Sequence, residues 1–386
     1  MSRERELRHH LVRHLEDLGA LRSPAWRRCF ETVPRHRLLP RFRPYARGQL
    51  LEEIDAAHPD AEAAWIEYAY RDLPAIIRID AQGYFTSSSS MPSLMARMLE
   101  LLEVEEGNTV LEIGTGSGYN AALLCARLGS EHVTSIDIQA DLVEEARGRL
   151  AELGYHPHLA VADGVGGYPE RAPYDRIICT GMAWPIPTAW LEQVRPGGRI
   201  VTVVPEGCVA LERRQEGTAS GRYDRESYRF MPIQPWPGTD PQRIAAAFEQ
   251  PTADRDYAYP FSVLEAGGSG ERSFQVLIRA LVTPDPKVFE HADARYLWAL
   301  EDDSWVRFPS GTGRVQQAGP RRLWDLVESL FERWCRLGAP NRERFGLTVT
   351  PAGEHTLWLD RPDSEHRWAV PSALLDRETD APGPRA

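Results

Sequence analysis

The stretch VLEIGTGSGYNAALL, residues 110–124, sets glycines at 114, 116 and 118 between a short apolar run and an amphipathic one. Glycine there lets the chain turn sharply and lets a ligand approach the backbone N–H groups at the start of a helix. Glycine-rich turns are common, and this one gains meaning only from following a strand and opening a helix in a βαβ unit. Three acidic residues accompany it: Glu112 just before the glycines, Asp137 closing TSID, and Asp163 in AVADG. At the carboxyl ends of parallel strands, where ligands lie, Asp137 is placed to accept from two ribose hydroxyls and Asp163 from an exocyclic adenine amine. Either aspartate equally suits a helix cap or a turn.

The elements that must position these residues alternate from Thr109 onward. TVLEIG, HVTSIDI, PHLAVADG, YDRIICTG and GRIVTVV read as five strands, with YNAALLCARLG and ADLVEEARGRLAELG as helices between them. Apolar strands alternating with amphipathic helices predict an α/β, doubly wound, Rossmann-like parallel sheet. Ahead of it, LRHHLVRHLEDLG carries a helical stripe, and residues 41–74 read as a charged surface insertion with a short helix. QPWPGTDP marks a boundary, giving domains 1–235 and 236–386. In the second, SFQVLIRALVT reads as strand, RRLWDLVESLFERWCRLG as helix, and RFGLTVT, HTLWLD and HRWAV as strands, an α+β module whose tryptophans read as core. The tail RETDAPGPRA should be frayed.

Taken together, Glu112, the glycine turn, Asp137 and Asp163 look like the S-adenosylmethionine site of a class I methyltransferase. GxGxxG would need glycine where Tyr119 stands. The lack of a P-loop lysine fits a ligand with no phosphate. On this likeness the cofactor contacts are Glu112, Gly114, Thr115, Gly116, Ser117, Gly118, Asp137, Ile138, Asp163 and Gly164, with S-adenosyl-L-homocysteine as product and no metal. More of the chain resembles protein-L-isoaspartate (D-aspartate) O-methyltransferases: FETVPRHRLLP, YAYRDLP, FTSSSSMPSLMARMLELL, the glycine loop, ADGVGGYPERAPYDRIICTG and IPTAWLEQVRPGGRIVTVV occur in the family's order. The family's Thr-Ile-Ser-x-Pro pattern falls on Ser90-Met91-Pro92. The resemblance thus carries over Ser90 as the active-site serine, with Ser88, Ser89 and Met91 expected beside the substrate. Ser90 equally reads as a cap of the helix that follows, and the other serines as a flexible approach.

A hydroxyl suffices for the implied reaction. The nucleophile is a carboxylate, already ionised at neutral pH, so positioning and desolvation rather than a strong base supply the rate. The roughly 150 residues after the methyltransferase part, the acidic insertion and the Ser-rich loop depart from the compact repair enzymes. They are similar to actinobacterial homologues that tailor ribosomally made peptides, of the ATP-grasp (graspetide), lanthipeptide or lasso type. There an Asp ester closes to an aspartimide that reopens to isoaspartate. The leading expectation is therefore esterification of an Asp or isoAsp side chain on a modified precursor peptide; the alternatives are general isoaspartate repair, a non-catalytic cofactor-binding protein, and a dinucleotide oxidoreductase.

The bulk properties agree with a peptide or protein partner. The chain has 386 residues, 42% hydrophobic and 26% charged, with net charge −11, which argues against gripping nucleic acid or an anionic membrane. MSRERELRHHLVRHLEDLG lacks a signal peptide's apolar centre and no stretch reaches membrane-span length. The five cysteines are scattered, so a reduced, cytoplasmic protein is expected. His9, His10 and His14 read as solvated rather than as metal ligands, and Arg35 of VPRH as either a site residue or a surface ion-pair partner.

Overall fold

Two amphipathic helices begin the chain. α1 (Arg3–Asp17) buries Leu11, Val12 and Leu15; α2 (Pro24–Thr32), capped by the Ser23 hydroxyl and started by Pro24, buries Trp26, Cys29 and Phe30. In this computed structural model, residues 2–58, 60–81, 83–226, 230–233, 252–264, 273–284, 286–291, 294–310 and 312–375 are described. The expected break at 234–241, the 235/236 boundary and the tail 377–386 lie outside them. The chain groups into two compact units: residues 1–182, 187–203 and 210–218, and residues 183–186, 204–209 and 219–386.

In the first unit, β1 (Arg41–Ala46), β2 (Gln49–Leu50), β3 (Ile54–Asp55), α3 (Glu62–Ala69), β4 (Ala75–Ile79) and β5 (Phe85–Ser89) follow. The strands form an antiparallel sheet in the order β2-β1-β4-β5, with β3 beside β1. The short helix expected in 41–74 is present, but the segment is more than a surface insertion. Phe42, Ile54 and Ala69 join Leu39 and Ala75 in a buried cluster, with Trp65 and Tyr68 packed on it. These apolar residues are interleaved with charges over very short strands, so no period stands out in the sequence.

α4 (Pro92–Leu102) leads into the parallel sheet: β6 (Val110–Ile113), α5 (Tyr119–Leu128), β7 (Val133–Asp137), α6 (Ala140–Glu152), β8 (His158–Val161), β9 (Tyr174–Met182), α7 (Thr188–Gln193), β10 (Val194–Val204) and β11 (Gly207–Arg213). The order is β11-β10-β9-β6-β7-β8, with β10, β9, β6, β7 and β8 parallel. The five expected strands are these five. β6, buried along its whole length, pairs with β7 on one side and β9 on the other. The chain reverses its direction of advance there, and that switch point is where an open α/β sheet leaves a crevice.

The second unit has one antiparallel set, β12 (Ala219–Tyr223) beside β18 (Phe345–Val349), β19 (His355–Leu359) and β20 (Arg367–Ala369). A second antiparallel sheet runs β13 (Ala253–Asp256), β17 (Arg314–Ala318), β16 (Ser304–Pro309), β15 (Ala294–Ala299), β14 (Lys287–His291). α8 (Ser273–Leu281) and α9 (Leu323–Arg336) complete it. SFQVLIRALVT is therefore a helix rather than the expected strand. A continuous apolar run fits both, and the spacing of Phe274, Leu277, Ile278 and Leu281 is the helical one. Every described tryptophan except Trp65 is buried, in agreement with a core role; Phe308 and Trp324, for example, meet edge to face at 4.4 Å. Among the described residues no helix is long and apolar enough to cross a membrane, and none of the five cysteines is in a disulfide.

Candidate active site

The glycine turn at the end of β6 is built for close approach. Gly114, Gly116 and Gly118 all have positive φ (98°, 50° and 84°), which a side chain would strain. A Cβ on Gly114 would stand 2.6 Å from Thr180 Oγ1, and one on Gly116 3.4 Å from the Ser88 carbonyl. Thr180, near the carboxyl end of β9, donates to the carbonyls of Ile113 (3.1 Å) and Gly114 (2.9 Å), so it fixes the turn from the neighbouring strand.

Beneath the turn runs a buried polar chain. Glu112, with no exposed surface, accepts from Asn120 Nδ2 (2.7 Å) and from Ser135 Oγ (2.6 Å), and Ser135 Oγ lies 2.7 Å from Thr115 Oγ1. Burial pushes the Glu112 carboxyl up to about 7, against the pull of those two hydrogen bonds. Glu112 thus lies under the loop and orients it. Asp137 sits at the loop's edge, one oxygen accepting from Gly116 N–H (3.0 Å) and the other from Gln139 N–H (3.1 Å). Burial raises its carboxyl too. Ile138 beside it is 64% exposed, an apolar surface with nothing from the chain upon it. Asp163 is exposed and holds its own turn through Val165 N–H (2.9 Å), while the Gly164 carbonyl accepts from Trp190 Nε1 (2.8 Å).

The serine run is a strand, not a flexible loop. Ser87 and Ser89 point inward and Ser88 and Ser90 are half-buried, the alternation of β structure. Serine's preference for turns hides this from the sequence. Ser90 does not cap α4 either: Met91 holds the cap position, and no side chain of the run serves it.

A pocket open to solvent brings together Ser88, Ser89 and Ser90 with Gly114, Thr115 and Ser117. Met91, Glu112, Gly116, Gly118, Asp137, Ile138, Asp163 and Gly164 lie outside its wall. Four lining residues were not among those expected in the site: Met95, Tyr119, Asn120 and Thr180. Thr180 was findable, since it lies near the carboxyl end of the strand paired with β6 across the switch point. Asn120 was not, because its role depends on its contact with Glu112. Its Oδ1 is buried at the pocket wall without a hydrogen-bond partner. No carboxylate or cation lines the pocket, and no metal-binding group of three or more ligands occurs among the described residues.

These features fit S-adenosylmethionine: a positive-φ glycine turn that leaves backbone open to a ligand, a carboxylate at the loop edge, an exposed apolar residue beside it and an orphaned acceptor in the wall. The family model for protein-L-isoaspartate(D-aspartate) O-methyltransferase matches residues 48–235. The protein-L-isoaspartate O-methyltransferase of Christiangramia forsetii is 36% identical over 181 residues, 46% of this chain and 80% of that protein. That of Staphylothermus marinus is 36% identical over 220 residues, 55% of this chain and 84% of its own length. A solved structure of a protein-L-isoaspartate O-methyltransferase superposes with a TM-score of 0.53 at 22% identity, covering 92% of this chain and all of that one, which speaks to the fold. With four-fifths of these relatives' length spanned at such identity, the chain belongs to the protein-L-isoaspartate O-methyltransferase family, the carboxyl O-methyltransferases that use S-adenosylmethionine.

Proposed function

We propose that the chain esterifies the free carboxylate of L-isoaspartyl residues in peptides and proteins, the general repair reaction. The observation that carries this is the pocket wall, which offers hydroxyls and an amide but no charged side chain. A carboxylate enters such a pocket already ionised and meets no like charge. When bound, S-adenosylmethionine would supply an electrophilic methyl group for a carboxylate oxygen, with S-adenosyl-L-homocysteine as the product. Ser90 donates its hydroxyl to one carboxylate oxygen and turns the other toward the reacting carbon. Gly114, Gly116, Asp137 and Asn120 hold the cofactor, assisted by Thr115, Ser117 and Gly118 in the loop. Ser88 and Ser89 extend the polar wall toward the peptide. No proton moves, so no base is required.

Tailoring of a modified ribosomal peptide, with a dedicated precursor and closure of the ester to an aspartimide, is the second reading. It draws on the second unit, most of which lies beyond the family match at 48–235. A structure that bears the plain family name covers 92% of this chain, so added length alone does not mark a dedicated substrate. The deciding experiment supplies the full chain and cofactor with one peptide in isoaspartyl and aspartyl forms. Methyl ester on the isoaspartyl form of several unrelated peptides supports repair; ester on neither, with turnover only on a co-encoded modified precursor, overturns it in favour of tailoring.

A further inference from the structure

The buried guanidinium of Arg35 is the charged group whose position the proposed chemistry leaves unexplained. Arg35 has no exposed surface, and its donors meet backbone carbonyls in two separate segments. Nη1 donates to Ala69 (2.8 Å) and Arg71 (3.3 Å); Nη2 donates to Leu73 (3.3 Å), Ser89 (3.4 Å) and Ser90 (3.2 Å). Of the two readings the sequence left open for Arg35, a site residue or a surface ion-pair partner, the second does not hold. Burying a cation is costly, the more so here because the Arg35 Nε is buried without a hydrogen-bond partner, and an apolar residue would fill a merely structural place at lower cost. What this cation does that an apolar residue cannot is tie the carbonyl of Ser90 to the stem of the 41–74 segment.

The far end of the same turn is held from the same stem. Pro92 has no N–H and Met91 has no side-chain acceptor, so the first free amide of α4 is that of Ser93. Asp72 Oδ1 accepts it at 2.8 Å, a cap supplied from 21 residues away. Arg35 thus fixes the chain just before Met91, and Asp72 fixes it just after Pro92.

We infer that Arg35 and Asp72 are positioning residues for methyl transfer: together they clamp the Ser90-Met91-Pro92 turn and set where the Ser90 hydroxyl stands. The inference rests on the role proposed for Ser90. It also gives the segment YAYRDLP a function in the site, since the carbonyls of 69, 71 and 73 and the carboxylate of 72 are the anchors. Lysine cannot replace Arg35, because one ammonium has three donors and no planar fork with which to span two segments.

The test uses the full chain with Arg35→Lys, Arg35→Met, Asp72→Asn and Asp72→Ala. Amide hydrogen exchange over residues 86–94 is read beside cofactor affinity by calorimetry and kcat and KM on an isoaspartyl peptide. The expected result is faster exchange confined to the turn, kcat lowered at least tenfold in Arg35→Lys and Asp72→Ala, cofactor affinity within twofold, and partial recovery in Asp72→Asn, which keeps an acceptor. Unchanged exchange in the turn, or exchange that rises equally in β6 and β7, overturns the clamp. Asp72 is only half-buried and carries the test if the Arg35 variants do not fold. Lack of turnover on every isoaspartyl peptide counts against the proposed reaction alone, because the exchange data still judge the clamp.

Discussion

Asn120 Nδ2 donates to Glu112 Oε1 over 2.7 Å, and this contact turns the amide so that its Oδ1 is left buried and unpartnered at the pocket wall. A buried acceptor without a donor costs about 1–3 kcal/mol, which a ligand N–H removes on binding. Asn120→Ala is expected to weaken cofactor binding about tenfold, or about 1.4 kcal/mol. Calorimetry on the purified variant checks it, and an unchanged affinity would assign the orphaned oxygen to something other than the cofactor.

The same pair makes stability depend on pH. Glu112 titrates near 7 when folded because burial disfavours its charge. Its unfolded carboxyl titrates near the ordinary value, so the folded state loses stability as pH rises from that value through about 7. Glu112→Gln removes the charge, and its amide can donate to Ser135 while the Ser135 hydroxyl turns to Thr115. The variant should flatten the slope of melting temperature between pH 5 and pH 8, and a slope equal to that of the parent protein would contradict the assignment.

Two glycines respond to alanine with opposite sign. Gly114→Ala drives a methyl to within 2.6 Å of Thr180 Oγ1 at a φ of +98°, so cofactor binding should be lost. Gly148 lies in α6 with nothing within 4 Å of an added Cβ. Gly148→Ala should raise stability by about 0.5–1 kcal/mol through helix propensity. Thermal melts with and without cofactor distinguish the two.

His355 gives the second unit an acid limit. The Ile186 amide can only donate, so His355 Nε2 accepts it (3.0 Å) and the ring proton sits on Nδ1, facing the Gly353 carbonyl (2.8 Å). Burial depresses the ring to about 4. Stability from the neutral ring is full above its unfolded value near 6.5 and declines as pH falls through about 4, by on the order of 3 kcal/mol. His355→Asn should start less stable at pH 7 and lose less on acidification, which pH-resolved denaturant melts measure.

Among the serines, only Ser90 should matter strongly to turnover. Ser90→Ala is expected to lower kcat about 10- to 100-fold, as misplacing a reacting group does, with cofactor affinity unchanged. Ser87, buried and outside the pocket wall, should tolerate alanine with kcat near that of the parent protein. Equal kcat in the two variants would move the orienting role away from Ser90.

The sequence by itself determined the doubly wound sheet, the glycine turn and the acidic residues around it. Each of these is written locally, as strand and helix periods, positive-φ glycines and strand ends. It also determined the family, through motifs kept in order. Contacts across long separations were decided only by the tertiary structure. Nothing in VPRH or YAYRDLP announces that Arg35 and Asp72 will meet the ends of a turn more than 20 residues further on. Nothing in GYNAALL says that Asn120 will be aimed by Glu112. The serine run read as a loop because serine favours turns when alone, and it became a strand because β4 supplied a partner, pairing Ala75 with Ser89 and Ile76 with Ser88. SFQVLIRALVT went the other way, since a continuous apolar run takes whichever backbone lets its neighbours bury it. Local patterns fix which elements form, and burial together with hydrogen-bond satisfaction fixes which side chains meet.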